Sequence, residues 1–349
     1  MKKTVKQVVG IDVAQDELVV CLGRMSDDWV PSLVAHKTFP NNPKGFDGLV
    51  AWVAKLTEAD VAIRYVMEAT GVYHESLAYY LSDQGREVSI VLPNKMSNYA
   101  RTLETKTVTD KTASEAIAMF GLEKKTDIWE PPKGVYRTIR QLTRERSQLM
   151  EDRTVVKNQI HAEEAGAFPN KMSLQRARKR LALLEKQEAE IMKELDTLVK
   201  TDEEVQRIVL LVCSIPGIGL LTAATILGET NGFDLIKNKR QLTSYAGLDV
   251  REKQSGTSVK GKPSISKKGN RFLRKAMHLP ALSALQRDER FKAVFARLVS
   301  RHGIKMKAVV AIQRKLLELS YTVYKTQKPY DKEYFKRNEP IKEVENECT

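Results

Sequence analysis

Lys6–Gln15 reads KQVVGIDVAQ, and how that stretch folds decides the architecture of the chain's first third. The run is rich in β-branched residues and breaks at Gly10-Ile11-Asp12, which predicts a strand that delivers a carboxylate at its end. ELVVCLG from Glu17 follows at once and predicts the hairpin partner of that strand. After a turn near Asn41-Asn42-Pro43, a helical period covers Gly45 to Leu56. Ala62 to Met67 is a buried type of strand and ends at Glu68. A helix over Tyr73–Leu81, a strand over Glu87–Leu92 and two short helices, near Lys95–Thr102 and Thr112–Leu122, complete the segment.

Three strands followed by α-β-α-β-α is the order of a ribonuclease-H-like α/β domain, expected over residues 1–130. Three acids then acquire a meaning together. Asp12 and Glu68 each close a strand, and Asp110 stands just ahead of a helix in TVTDKTASEAIA. Mg²⁺ is a hard cation that takes oxygen ligands, and carboxylates gathered from separate elements are how proteins hold it for phosphoryl transfer. Any one of these acids alone could be a helix cap or a solvated strand end. The pattern of all three makes them candidate metal ligands. Asp16 and Glu17 read as solvated turn residues.

Pro131-Pro132 marks a boundary. Beyond it, Tyr136 to about Glu163 and Leu174 to Lys200 predict two long helices, a coiled-coil linker over 131–200. In the second, Leu174, Leu181 and Leu195 share one heptad position and Ala177, Leu184, Ile191 and Leu198 another, with Glu188 the one polar residue facing inward. A hairpin within one chain and a coiled coil between chains explain this seam equally well. A mainly helical C-terminal domain is expected over 201–330, with a charged tail over 331–349. Its Ser214-Ile215-Pro216-Gly217-Ile218-Gly219 turn opens a helix, a helix-hairpin-helix-like signal. Gly217 and Gly219 there could bring backbone N–H groups to a phosphate.

The most unusual segment is REKQSGTSVKGKPSISKKGNRFLRK, residues 251–275. It holds nine cations, among them Lys260, Lys267, Lys268, Arg271 and Arg274, against the single acid Glu252. Four serines and three glycines lie between them. So polar a stretch cannot be core and predicts a mobile loop that leads into a helix from about Asn270, suited to a polyanion. The whole chain agrees: 349 residues carry a net charge of +14, with a pI of about 9.5. Such an excess attracts nucleic acid in a salt-sensitive way. Cys21, Cys213 and Cys348 lie far apart and form no C-x-x-C pair, which speaks against a zinc site or disulfide framework and fits a reducing cytoplasm. No apolar run reaches membrane-spanning length, and the N-terminus runs into a strand without a secretory h-region.

GIDVAQDEL, MEATGVY, TDKTASEAIA, SIPGIGLLTAATIL, YAGLDVREKQSGTSVKGKPSISKKGNRFLRKAMHLPA and MKAVVAIQRKLLELSYTVYK follow in that order along almost the whole chain. In this the sequence resembles the transposases of the IS-one-ten family of bacterial insertion sequences. The resemblance implies a RuvC-like domain with a D-E-D-D metal site, a coiled-coil linker, and a C-terminal transposase domain with a nucleophilic serine. It also implies a non-coding bridge RNA as guide, donor and target DNA as substrates, and a dimer or tetramer whose active sites combine domains of different subunits. A cytoplasmic, nucleoid-associated protein follows.

Residue by residue, the resemblance maps the first three acids onto Asp12, Glu68 and Asp110, and the catalytic serine, which precedes the glycine of an S-G pair, onto Ser255. The fourth acid is expected three residues after the third, where this chain has Ala113. Loss in this branch, replacement by Glu115, or an introduced alanine each explain the departure. Glu115 lies two residues along a helix, about 200° around its axis, which is the wrong side for a direct replacement. Ser258, Ser264 and Ser266 read as hydrogen-bond donors to phosphate or backbone. Three functions therefore compete: a serine recombinase with Mg²⁺-binding carboxylates, a RuvC-like endonuclease that uses metal-activated water, and a catalytically weakened nucleic-acid-binding relative.

Overall fold

The computed structural model describes residues 3–69, 71–103, 107, 109–251, 254–255, 259–260 and 264–333, with backbone alone at 254–255 and 259–260. The chain divides into two compact units, residues 1–131 and 132–349.

The N-terminal unit is built on one mixed sheet. Its strands are β1 (Thr4–Val13), β2 (Glu17–Ser26), β3 (Pro31–Pro40), β4 (Ile63–Glu68) and β5 (Glu87–Val91). Their spatial order is β3-β2-β1-β4-β5. The first three form an antiparallel meander, and β4 and β5 add parallel to β1. A meander followed by two parallel crossover strands is the ribonuclease-H arrangement expected from the sequence.

Alternation along β1 divides its side chains between two apolar layers. Val9, Ile11 and Val13 join Phe46, Leu49, Leu77 and Leu81, the buried faces of α1 (Pro43–Leu56) and α2 (Glu75–Asp83). Val8 joins Met96, Ile117 and Leu122 on the other side, under α3 (Pro93–Ala100) and α4 (Asp110–Glu123). Gln7 is fully buried within this apolar strand and is satisfied there. Its amide donates to the Glu58 and Val61 carbonyls and accepts from the Glu58 N–H, which removes the cost of burying a polar group.

Helix α4 lies unusually close to the sheet. A side chain at Gly10 would run into the backbone of Ser114 and Ala118, and one at Gly121 into Val8 and Val66. Thr109 caps the helix with a reciprocal Thr109–Thr112 capping box, so its first turn is fixed where it meets the strand ends.

The C-terminal unit is almost wholly helical: α5 (Gly134–Glu164), α6 (Lys171–Thr201), α7 (Glu203–Cys213), α8 (Leu220–Thr230) and α9 (Lys239–Tyr245) precede four two-residue strands. These are β6 (Val250–Arg251), β7 (Gln254–Ser255), β8 (Val259–Lys260) and β9 (Ser264–Ile265). Then come α10 (Arg271–Ala276), α11 (His278–Arg287), α12 (Glu289–His302) and α13 (Lys305–Thr326).

The seam of α6 is used within the chain. Leu174, Ala177, Ile191 and Leu195 are buried, and the inward Glu188 is held by Arg146 at 2.6 Å and Arg153 at 2.7 Å, both on α5. The long helices therefore form an antiparallel hairpin whose base belongs to the C-terminal core, where α8 crosses α5 backbone to backbone at Gly228 and Arg140. No helix among the described residues is long and apolar enough to cross a membrane.

Candidate functional site

Strand register brings the first two acids together. β1 and β4 run parallel with Gly10 opposite Val66 and Ile11 opposite Met67, so Asp12 and Glu68 occupy the next step. Alternation puts both on the α4 side, the side of Val8 and Val66. Neighbouring strands lie about 4.8 Å apart, so two carboxylates stand side by side at the ends of parallel strands.

Asp110 is the first residue of α4, the helix that Gly10 lets down onto this corner. The three are close enough to feel one another. Burial raises the Asp12 carboxyl above its ordinary range, and the Asp110 and Glu68 charges push it further, against a lowering hydrogen bond from the Val13 backbone. Three carboxylates that repel one another suit a hard divalent cation. Among the described residues, however, no three His, Cys, Asp or Glu side chains are gathered tightly enough to hold a metal ion.

Ala113 follows Asp110 by three residues, and Ser114, Ile117, Ala118 and Gly121 continue the same sheet-facing stripe. An acid at 113 would face the corner where Asp110 stands. Glu115 does not: its carboxylate takes the His36 imidazole of β3 at 2.9 Å. Glu115 as a stand-in ligand is therefore disfavoured, because its side chain is already committed elsewhere on the sheet.

In the C-terminal unit, the basic segment is more structured than a plain loop. β6 pairs antiparallel with β9, and β7 with β8, which sets Ser255 opposite Val259. The β-branched residues Val250, Ile265 and Val259 favour these short ladders. The side chains of Ser255 and Lys260, and all of Ser258, lie outside the described residues, as does the tail from 334.

The base of the segment is closed by a dense set of bonds. Ser266 Oγ donates to Asp249 Oδ1 at 2.5 Å. The backbone N–H groups of Ser266, Lys267 and Asn270 donate to the carbonyls of Asp249, Gly247 and Tyr245. Gly269 packs on the Tyr245 and Gly247 backbones, and both glycines have positive φ, as has Lys267 at 53°.

Beneath this clasp is an acid that motif and spacing do not single out. Glu229, 3% exposed, ends the apolar run LLTAATILGE. Arg144 of α5 grips its carboxylate with two bonds of 2.7 and 2.8 Å, and Asn270 adds a third at 2.6 Å. The Tyr245 hydroxyl donates to the Glu229 carbonyl at 2.9 Å. Asn270 also caps α10, so one buried carboxylate ties the long helix α5, helix α8 and the exit of the serine-bearing segment. The available signal is an acid closing an otherwise apolar helix.

The remaining candidates divide by surroundings. Arg274 donates to the Ala246 carbonyl at 2.8 Å and helps close the clasp. Arg271 stacks on Phe272, whose ring Arg144 also covers. Lys267 and Lys268 are exposed. Gly217 has φ +86° and a side chain there would strike Pro280 and Ala284 of α11, so packing alone accounts for it. Gly219, at the N-terminus of α8, is open.

Comparison with known proteins covers both units. A transposase family model of the DEDD, IS110 type matches residues 9–169. A second model, described as "Transposase IS116/IS110/IS902 family", matches residues 209–296. The chain is 28% identical to the pilin gene-inverting protein of Moraxella bovis over 333 residues, 94% of this chain and 98% of that protein. It is 23% identical to the transposase for insertion sequence element IS1111A of Coxiella burnetii, over 93% of this chain and 91% of that one. Among solved structures it matches Thermus thermophilus RuvC in complex with a Holliday junction substrate, at 10% identity and a TM-score of 0.28, over 35% of this chain and 99% of RuvC.

Proposed function

We propose, for a chain that belongs to the IS116/IS110/IS902 family of transposases, that it cuts and rejoins DNA through a covalent link to Ser255. The hydroxyl oxygen forms a bond to a backbone phosphorus as the bond from that phosphorus to one DNA oxygen breaks. The serine proton passes to a base, and the departing strand end takes up a proton. A strand-end hydroxyl then attacks the same phosphorus, the serine–phosphorus bond breaks, and the DNA is resealed. Phosphodiester linkages are conserved, so no outside energy source is required.

An alcohol is a weak nucleophile near neutral pH and needs both a base and a cationic setting for the charge that develops. Lys267, Lys268 and Arg271, exposed at the clasp, supply the second. Asp12, Glu68 and Asp110 are the side chains that would hold Mg²⁺, which when bound offsets phosphate charge and eases deprotonation of a hydroxyl. The observation that carries this reading is the pairing of Asp12 and Glu68 on one face of adjacent strand ends, under a helix that begins at Asp110. Donor and target choice by a bridge RNA, and assembly as a dimer or tetramer, complete the proposal on the family's pattern. The test is a suicide substrate. Wild-type protein accumulates a covalent DNA adduct, and Ser255→Ala binds the same DNA with no adduct. An adduct formed by the variant removes Ser255 from the role.

Ala113 supports a second reading, a relative weakened in catalysis that still binds nucleic acid. On the recombinase reading, Ala113→Asp raises strand cleavage by about tenfold or more, as restoring a lost ligand should. Unchanged cleavage favours the weakened relative.

A further inference from the structure

We propose that the groove between α12 and α13 is a second DNA-backbone site of the C-terminal unit, taking phosphates of duplex DNA away from the serine-bearing segment. The inference rests on the DNA-cutting reading above.

The groove is a cavity of about 300 Å³ whose rim carries Arg290 and Arg297 from α12 and Lys315 from α13, and no carboxylate lines it. Its floor is apolar, with Phe291, Val294 and Ile312. Cations over a low-dielectric wall concentrate the field that a polyanion meets, compared with the same charges on an open surface. Arg290, Arg297 and Arg301 are seven and four residues apart, so all three project from one face of α12. At 1.5 Å per residue they span roughly 16 Å along the axis. Duplex DNA offers one phosphate every 3.4 Å or so on each strand, so a row of this length can meet several.

Two of the groove's cations, Arg297 and Lys315, differ from many others of the unit in having no acid beside them among the described residues. Arg144, Arg146, Arg153, Arg178, Lys275, Lys292 and Arg314 are each held by a glutamate. Arg290 reaches Tyr330. Arg297, Arg301 and Lys315 form no ion pair with any described residue. Like charges left together around one groove oppose folding by their mutual repulsion. A stabilised helix end explains Arg301, which lies in the last turn of α12. It does not explain Arg297, which precedes that turn, or Lys315 in the middle of α13.

The test compares full-length wild type with Arg297→Glu/Lys315→Glu for binding to a random-sequence DNA duplex over a range of salt. Lys157→Glu/Lys186→Glu is the control: it makes the same change in net charge at two exposed lysines already paired with Glu185 and Glu190. All replaced side chains are exposed, so each variant should stay folded at the assay temperature, which its melting curve checks. Loss of two phosphate contacts lowers the slope of log affinity against log salt by about 1.8. Affinity near 0.1 M salt falls by roughly tenfold or more, against about threefold or less for the control. A groove variant with the wild-type slope, a control that loses as much, or a loss confined to an RNA probe overturns the site while leaving the DNA reading in place. Wild-type protein without measurable DNA affinity overturns that reading and the site with it.

Discussion

The two units place their candidate residues by opposite means. In the N-terminal unit, regular structure does it: Asp12 and Glu68 stand at the ends of paired strands and Asp110 at the start of a helix pressed onto them by a glycine. The layers there are apolar on both sides of the sheet. In the C-terminal unit, Ser255 rides on a two-tier hairpin whose stems are closed by polar bonds over a buried carboxylate. Packing positions the acids, and hydrogen bonding closes the base of the segment that carries Ser255. Apolar packing is non-directional and tolerates small shifts, whereas a buried polar network fails as soon as one member is removed.

The comparison breaks most readily at Gly10. Gly10→Val drives a branched side chain into the backbone of α4 and should cost about 3 kcal/mol or more. Melting followed on unit-specific probes, Trp129 for the first unit and proteolysis of the helical hairpin for the second, should show the loss in the N-terminal unit alone. Loss in both would mean that the units do not fold independently.

Glu229→Ala probes the other side. It leaves Arg144 and Asn270 without their acceptor; because Arg144 is 41% exposed, solvent recovers part of the loss, and about 2 kcal/mol is expected. Hydrogen exchange should rise in the segment that joins α9 to α10 while the sheet of the other unit keeps its protection. Glu229→Gln, which can still hydrogen-bond, should lie between wild type and alanine.

The smallest effect concerns pH. His74, buried at the start of α2, has its imidazole pushed below the usual value by burial, against weaker raising effects of Glu75 and the Gly71 backbone. As pH falls through the unfolded value, about 6.5, the unfolded chain binds a proton that the folded one resists. Its contribution is therefore complete above that value and lost as pH drops toward the depressed folded one. His74→Gln should flatten the acid limb of the melting curve relative to wild type; identical limbs would show that burial of this ring is unimportant.

Much of the first unit is legible in the sequence because its signals are local. β-rich runs stopping at Asp12 and Glu68 mark strands β1 and β4 with the acids at their ends, and a helical period after Asp110 marks α4. The second long helix is legible from its heptads, and Glu188 marks the polar step that Arg146 and Arg153 complete. The clasp is not. It joins Arg144, Glu229, Tyr245 and Asn270 across more than a hundred residues, and no short-range period encodes such a meeting. The basic segment reads as a loop because its charge and glycines outweigh the few β-branched residues that pair in the short ladders. Gly217 carries the signal of a phosphate-binding turn, yet the same residue is required wherever a helix backbone comes this near.

Mapping of the trapped DNA adduct tests the central claim most directly. Digestion of protein reacted with a suicide substrate should yield one nucleotide-bearing peptide, modified at Ser255. Free strand ends without any protein-linked DNA, or a nucleotide carried on another side chain, would contradict it.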